Sequence, residues 1–186
     1  MIHSQNLTLP DTDRDHIAGN AEAPITLLEY GDYECPACGM AHPVVKALQE
    51  ELGDRLCFAF RHFPLTNVHA HAEHAAEAAE AAGAQGRFWD MHDALFENQD
   101  ALSDESIFAL AEELHLDAER LIKEVLSETY QTRVREDFKA GVRADVNGTP
   151  TFFINGERYD GPRDPESFLQ ALVSGASPRE PESSLI

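Results

Sequence analysis

The first strongly apolar run of the chain is Ile25-Thr26-Leu27-Leu28-Glu29-Tyr30, set between Pro24 and Gly31-Asp32. Its length and its β-branched and aromatic content predict a central strand that feeds a loop. From Pro36 to Leu52 the period changes. Met40, Val44, Val45, Leu48 and Leu52 recur at three- and four-residue steps, which predicts a helix with one buried face, stopped by Gly53. Residues 55–61 (Arg-Leu-Cys-Phe-Ala-Phe-Arg) form the next compact apolar run and end at Phe63-Pro64-Leu65. Two strands flanking one helix make a βαβ unit, whose strands pair in parallel.

Between residues 68 and 143 strand signals almost vanish and helical segments follow one another, at 69–82, 87–97, 104–114, 117–126 and 128–143. Gly83 and Gly86 break the first, Ser103 with Ser106 opens the third, and Asp117 suits the cap of the fourth, with Arg120 and Lys123 toward its end. The Ala- and Glu-rich stretch at 72–82 is short and helix-competent, and it does not read as a repeat. Strand character returns at Thr151-Phe152-Phe153-Ile154 and Glu157-Arg158-Tyr159, separated by Asn155-Gly156. Asn-Gly between two such runs predicts an antiparallel hairpin, because both turn residues must accept positive φ. A last amphipathic helix, about 164–173, carries Phe168, Leu169 and Leu172 inward.

The expected organisation is therefore one domain over residues 24–174 with a helical insertion at about 68–143. A partly ordered lead-in (1–23) precedes it and a polar, mobile tail (175–186) follows. At 186 residues, 42% of them apolar, the chain can bury a core without disulfide staples. Lys and Arg number 14 against 34 Asp and Glu, a formal net charge of −20. Such a field repels phosphate backbones and anionic lipid, which argues against nucleic acid and membrane surfaces as partners. No stretch reaches the ~20 apolar residues that a spanning helix needs. The first twenty residues lack a basic start, an apolar core and a small-residue cleavage site. The expectation is a cytoplasmic chain, or a periplasmic one if an export signal preceding it was removed.

Only three cysteines occur, Cys35, Cys38 and Cys57, too few for a disulfide scaffold. Two of them form the pair Cys35-Pro36-Ala37-Cys38. A C-x-x-C pair serves either as a redox dithiol or as half a metal site, and its surroundings discriminate. Cys35 falls between a strand and a helix, with Pro36 at the first helical turn, where a missing N–H costs nothing. A thiolate there is stabilised by free N–H groups and the helix dipole, so Cys35 reads as the attacking thiol. Cys38, three residues on and more buried by position, reads as the resolving thiol. Zinc needs four ligands, and no second C-x-x-C or H-x-x-x-H pair accompanies the first, so no metal is expected. Cys57 is read as a small buried residue of its strand. His42 lies on a similar helical face to the two thiols, His69, His71 and His74 on a solvated face, and Phe88, Trp89, Met91, Leu95 and Phe96 in the core. Glu34, next to the nucleophile, opposes a thiolate only weakly if it is exposed.

The order β-α-β, helical block, β-β-α is that of a thioredoxin fold, an α/β architecture, with a helical insertion between its βαβ and ββα halves. The segments EYGDYECPAC (29–38), RHFPL (61–65), RFWDMHDALF (87–96) and GTPTFFING (148–156) resemble the DsbA-like family of thiol:disulfide oxidoreductases. The resemblance implies protein disulfide oxidoreductase activity without a cofactor. Its partners would be protein thiols or disulfides and a thioredoxin-, glutathione- or membrane-linked redox partner; with no appended dimerisation stretch in the sequence, a monomer is expected. It further implies that Thr149 and a cis Pro150 stand beside the dithiol and, with Pro36 and Ala37, line a groove for an extended peptide. Glu29 would be the buried acid that relays a proton for Cys38. The most oxidising members carry a histidine where this chain has Pro36-Ala37, so a less oxidising couple is expected. Two alternatives remain at this point: a peptide-binding or chaperone module using the groove beside Pro150, and a glutathione-dependent isomerase or transferase, although relatives of that kind typically lack the resolving cysteine.

Overall fold

A computed structural model describes residues 7–175. Five strands, β1 (Ile17–Gly19), β2 (Ile25–Gly31), β3 (Leu56–His62), β4 (Thr151–Ile154) and β5 (Glu157–Tyr159), form one mixed sheet in the order β1-β3-β2-β4-β5. β2 and β3 run parallel, and the other neighbours pair antiparallel. Every residue of β2 and β3 is buried. That explains why their sequences read as continuous apolar runs rather than alternating ones: both faces of the sheet are covered.

One face bears Ile25, Leu27, Leu56, Phe58, Phe60, Phe152 and Ile154. It packs against helix α1 (Pro36–Leu52), against helices α2 (Ala72–Gly83) and α3 (Phe88–Glu97), and against Phe168 and Leu172 of the C-terminal helix α7 (Pro165–Ser174). The opposite face, with Leu28, Tyr30 and Ala59, meets Phe63 and Ala140, the latter from α6 (Gln131–Arg143). The helical block is completed by α4 (Asp104–Glu113) and α5 (Ala118–Leu126). In α2 the alanines are buried around most of the circumference, so small side chains let α3, α5 and α6 approach closely.

The caps read at Ser103 and Asp117 form, and Asp164 caps α7 in the same way. The side chains of Ser103, Asp117 and Asp164 accept from the N–H of Ser106, Arg120 and Ser167 respectively. Asn155 and Gly156 both take positive φ, 49° and 88°, as a tight hairpin turn requires. Two details differ. The buried stripe of α1 is Cys38, Ala41, Val45, Leu48 and Leu52, whereas Met40 is 71% exposed. This stripe steps by three and four without interruption, and Met40 is turned off it. The helix expected from residue 69 starts at Ala72, because the loop before it is drawn onto the segment preceding Cys35, as described below.

From Leu7 onward the lead-in is more ordered than its composition suggests. β1 pairs with β3, and the buried guanidinium of Arg61 fastens the segment ahead of it. Arg61 donates to the Asp15 carboxylate (Nη2 to Oδ2, 2.7 Å), to the carbonyls of Leu7 and Leu9 and to the Tyr30 hydroxyl. A buried charge satisfied on this many sides is tolerable only with all its partners in place, which ties residues 7–15 to the sheet. The tail expected to be mobile lies, after Gly175, outside the described residues.

Candidate functional site

The loop from Asp32 to Cys35 leaves β2 and opens α1, and carboxylates anchor it. Asp32, 2% exposed, accepts the N–H of Glu34 on Oδ1 (2.8 Å), a local turn in which an aspartate bonds the backbone two residues on. Its Oδ2 accepts the N–H of Leu65 (2.8 Å) and pairs with His69 Nδ1 (2.7 Å). The Glu34 carboxylate accepts the N–H of His71 (2.7 Å). Residues 65–71 are thus held against the loop from Asp32 to Cys35 instead of extending α2. Gln99 bridges from the other side, its Nε2 donating to the carbonyls of Tyr33 (2.7 Å) and Cys35 (2.8 Å). A Cβ on Gly39 would lie 2.2 Å from the Gln99 side-chain oxygen, so a glycine at 39 is what admits the bridge. Asp32→Ala would leave two backbone donors and His69 without their acceptor. We expect a stability loss of about 2–4 kcal/mol, read as a shift of the urea midpoint at unchanged slope.

Cys35 caps α1 in extended backbone, with Pro36 in the first turn. Cys35, Cys38 and Cys57 are all free thiols. The Cys35 thiol donates to the carbonyl of Thr149 (3.4 Å), across the cis Thr149–Pro150 peptide bond from β4. Its pKa is lowered from 9.0 to about 5, first by the hydrogen bond from the Cys38 thiol, against the opposing effect of burial. Thr149 and the backbone N–H groups of Cys38 and Ala37 lower it further. The Thr149 hydroxyl is buried and unpartnered while Cys35 is a thiol, so ionising the sulfur supplies what it lacks. Cys38 is the converse case. It is fully buried, and desolvation, then its hydrogen bond to Cys35, push its pKa well above 9.0. One thiol of the pair ionises readily and the other holds its proton, a division of labour characteristic of an attacking and a resolving sulfur.

Glu29 lies in β2 between Phe60 of β3 and Phe152 of β4 and is 3% exposed. Burial raises its pKa from 4.5 to about 8, against the attraction of Arg163 and with a smaller push from Cys35. The charge of Glu29 in turn raises the Cys38 pKa. A carboxyl that titrates near neutrality next to a thiol that resists ionisation can exchange a proton with it. Cys35, Cys38, Glu29, Thr149 and Pro150 therefore lie together, and Pro36 and Ala37 form the first turn beside them. Pro36 is exposed, and Ala37 is packed against the core.

Other sequence candidates lie elsewhere. His42 turns its ring onto Phe96 of α3 (centroids 4.9 Å apart), with Nε2 3.5 Å from Asp93. Cys57 is buried in β3. The expected solvated face of His69, His71 and His74 is half-buried instead: His69 is bound to Asp32 and His74 to Asp104, both at 2.7 Å. Sequence reasoning passed over Asp32 and Gln99. The position of Asp32 directly after a strand is the turn signal that could have revealed it, whereas Gln99 sits in a polar stretch with no signal at all.

Among the described residues, the donor atoms of two groups, His42-His92-Asp93 and His62-Glu80-Asp137, lie within 4.8 Å of one another inside each group. Neither includes Cys35 or Cys38. Lys46 already neutralises Asp93 (2.7 Å), and Arg14 and Arg133 both bond Asp137.

The family model described as Thioredoxin matches residues 11–173. Among curated relatives, the chain is 44% identical over 164 residues to a protein of Salinispora tropica named Na(+)/H(+) antiporter NhaA 3, and 42% identical over 167 residues to Na(+)/H(+) antiporter NhaA 1 of Mycobacterium sp. strain KMS. These alignments take in 88% and 89% of the chain but only 25% and 27% of those proteins, so the chain spans about a quarter of their length. Among solved structures, oxidised BdbD from Bacillus subtilis superposes with a TM-score of 0.80 at 23% identity, covering 90% of this chain and 96% of that one. A thioredoxin-like oxidoreductase from Silicibacter pomeroyi DSS-3 gives 0.80 at 26% identity, covering 92% and 96%. Alpha-DsbA1 from Wolbachia pipientis gives 0.77 at 21%, covering 91% and 96%. With a family match across nearly the whole fold, this chain belongs to the thioredoxin family, and its fold is that of the DsbA-like structures it superposes on.

Proposed function

We propose that the chain is a thiol–disulfide oxidoreductase that exchanges the Cys35-Cys38 dithiol with disulfides of protein or small-thiol substrates. The observation that carries this reading is the asymmetry of the pair: Cys35 has its pKa lowered to about 5 at the start of α1, while Cys38 is buried beneath it and resists ionisation. At neutral pH the Cys35 thiolate attacks one sulfur of a substrate disulfide. The substrate S–S bond breaks, one substrate thiolate leaves and takes up a proton, and a Cys35–substrate disulfide forms. Cys38 then passes its proton toward Glu29 and attacks the Cys35 sulfur. The second substrate thiol leaves, and the chain retains a Cys35–Cys38 disulfide, oxidised by the two electrons the substrate has gained. Run backward, the same steps oxidise a substrate dithiol.

The substrate would lie extended beside Thr149 and Pro150, over Pro36 and Ala37, as an added strand. Direction follows the compartment: reductant in a reducing cytosol, oxidant in an oxidising space. The resolving Cys38 argues against the isomerase or transferase reading. The antiporter names of the relatives belong to proteins of which this chain matches only about a quarter, and the described residues contain no helix long and apolar enough to cross a membrane. No transport activity is proposed.

Reduction of insulin by the reduced chain, together with oxidation of a reduced peptide by the oxidised chain, tests the reading. Turnover in at least one direction is expected. Failure in both, with peptide still bound, would leave a binding module in its place.

A further inference from the structure

Glu29 is enclosed by apolar side chains, yet one permanent charge reaches it. Arg163, in the loop between β5 and α7, donates from Nη2 to the carbonyl of Pro150 (3.0 Å). Its guanidinium carbon stands 5.8 Å from the centre of the Phe152 ring. Phe152 is the cross-strand neighbour of Glu29 in the β2–β4 pairing. One side chain therefore touches the backbone of the loop that faces Cys35 and sits over the residue that walls the buried acid.

We propose that Arg163 is a positioning residue of the dithiol site: it fixes the Pro150 carbonyl and places a permanent positive charge on the β4 side of Glu29. The inference rests on the reading of Cys35 and Cys38 as an exchanging dithiol served by Glu29. A guanidinium stays charged at any working pH. The interior around a buried carboxyl screens a nearby charge far less than water would. The charged or titratable groups that interact with Glu29 are Cys35 and Cys38 of α1, Tyr33 of the preceding loop, and Arg163. Of these, only Arg163 favours the carboxylate. Burial already holds Glu29 near 8, so about one molecule in ten has it ionised at pH 7. Loss of the guanidinium would lower that fraction further and starve Cys38 of its proton acceptor.

The test is a 13C NMR titration of the Glu29 carboxyl in the oxidised protein, where neither Cys35 nor Cys38 can titrate. Arg163→Gln is expected to raise the midpoint by at least about half a pH unit, a threefold change in proton affinity. Arg163→Met, which keeps the stem over Phe152 and removes the charge, should do the same. Arg163→Lys, which keeps the charge, should stay near wild type. In the reduced protein, the pH profile of the resolving step should move by the same amount in the Gln and Met variants. An unmoved midpoint in both neutral variants, or a Lys variant that moves as far as they do, overturns the role of the Arg163 charge. The carboxyl titration needs no turnover. Absence of exchange by the wild type would therefore sink the dithiol reading separately, while a carboxyl shift with an unmoved exchange profile would sink the positioning role alone.

Discussion

Cys35→Ser is expected to bring thiol–disulfide exchange down to the uncatalysed background, a loss of at least about a hundredfold, because the proposed exchange runs through the thiolate of that residue. Serine offers no sulfur for a mixed disulfide, and the remaining thiols do not replace it. Cys38 is fully buried with its pKa held high by desolvation, and Cys57 is 1% exposed in β3. Cys38→Ser should behave differently. It preserves a hydroxyl donor toward Cys35 and therefore the attack, but it removes the resolving sulfur, so the Cys35–substrate disulfide should accumulate. Insulin reduction combined with mass mapping of trapped disulfides reads both outcomes. Exchange by Cys35→Ser within tenfold of wild type would place the chemistry on another residue.

Glu29→Gln is expected to change how stability depends on pH. The folded carboxyl has a pKa of about 8 because burial disfavours its charge, whereas the unfolded one titrates near its ordinary 4.5. Between those values the folded chain holds a proton that the unfolded chain has released. Stability from this group is therefore fully present below about 4.5 and is lost as the pH rises through about 8. At about 1.36 kcal/mol for each pH unit, the gap amounts to about 5 kcal/mol. A glutamine has no proton to give up, so the variant should match wild type near pH 4 and exceed it by several kcal/mol at pH 9. Urea unfolding of the oxidised protein at pH 4, 7 and 9 measures this without interference from the thiols of the pair. The same variant should slow the resolving step at pH 7 by at least about tenfold, through loss of the proton acceptor. Parallel stability profiles for wild type and variant would mean that Glu29 does not titrate in this range.

The same burial connects sequence to site. β2 and β3 are legible as strands because both faces of the sheet are covered, which makes them apolar throughout. The one acid in that apolar run, Glu29, stands out for the same reason. Asn155-Gly156 announces its hairpin because few other pairs accept two positive φ angles in succession. The C-x-x-C pair is readable because Pro36 marks the helix start, and the partnership with Pro150 follows from family resemblance rather than from spacing.

What stays hidden depends on long-range polar contacts. Arg61 reads as the end of a strand, yet it collects Asp15 and the carbonyls of Leu7 and Leu9 and so orders a lead-in that composition marks as loose. The start of α2 is misread because His69 is captured by Asp32, and the N–H of His71 by Glu34, 37 residues earlier in the chain. Gln99 and Arg163 carry no local signature. Their roles arise only when the helical block and the loop before α7 fold back onto the dithiol.

The most direct measurement is the reaction of the reduced chain with oxidised glutathione between pH 4 and pH 9, quenched in acid and mapped by mass spectrometry. The predicted result is a Cys35–glutathione adduct that gives way to a Cys35–Cys38 disulfide, with the adduct forming at a rate half-maximal near pH 5, where Cys35 ionises. An adduct on Cys57, no Cys35–Cys38 disulfide, or a rate that rises only toward pH 9 would contradict the account.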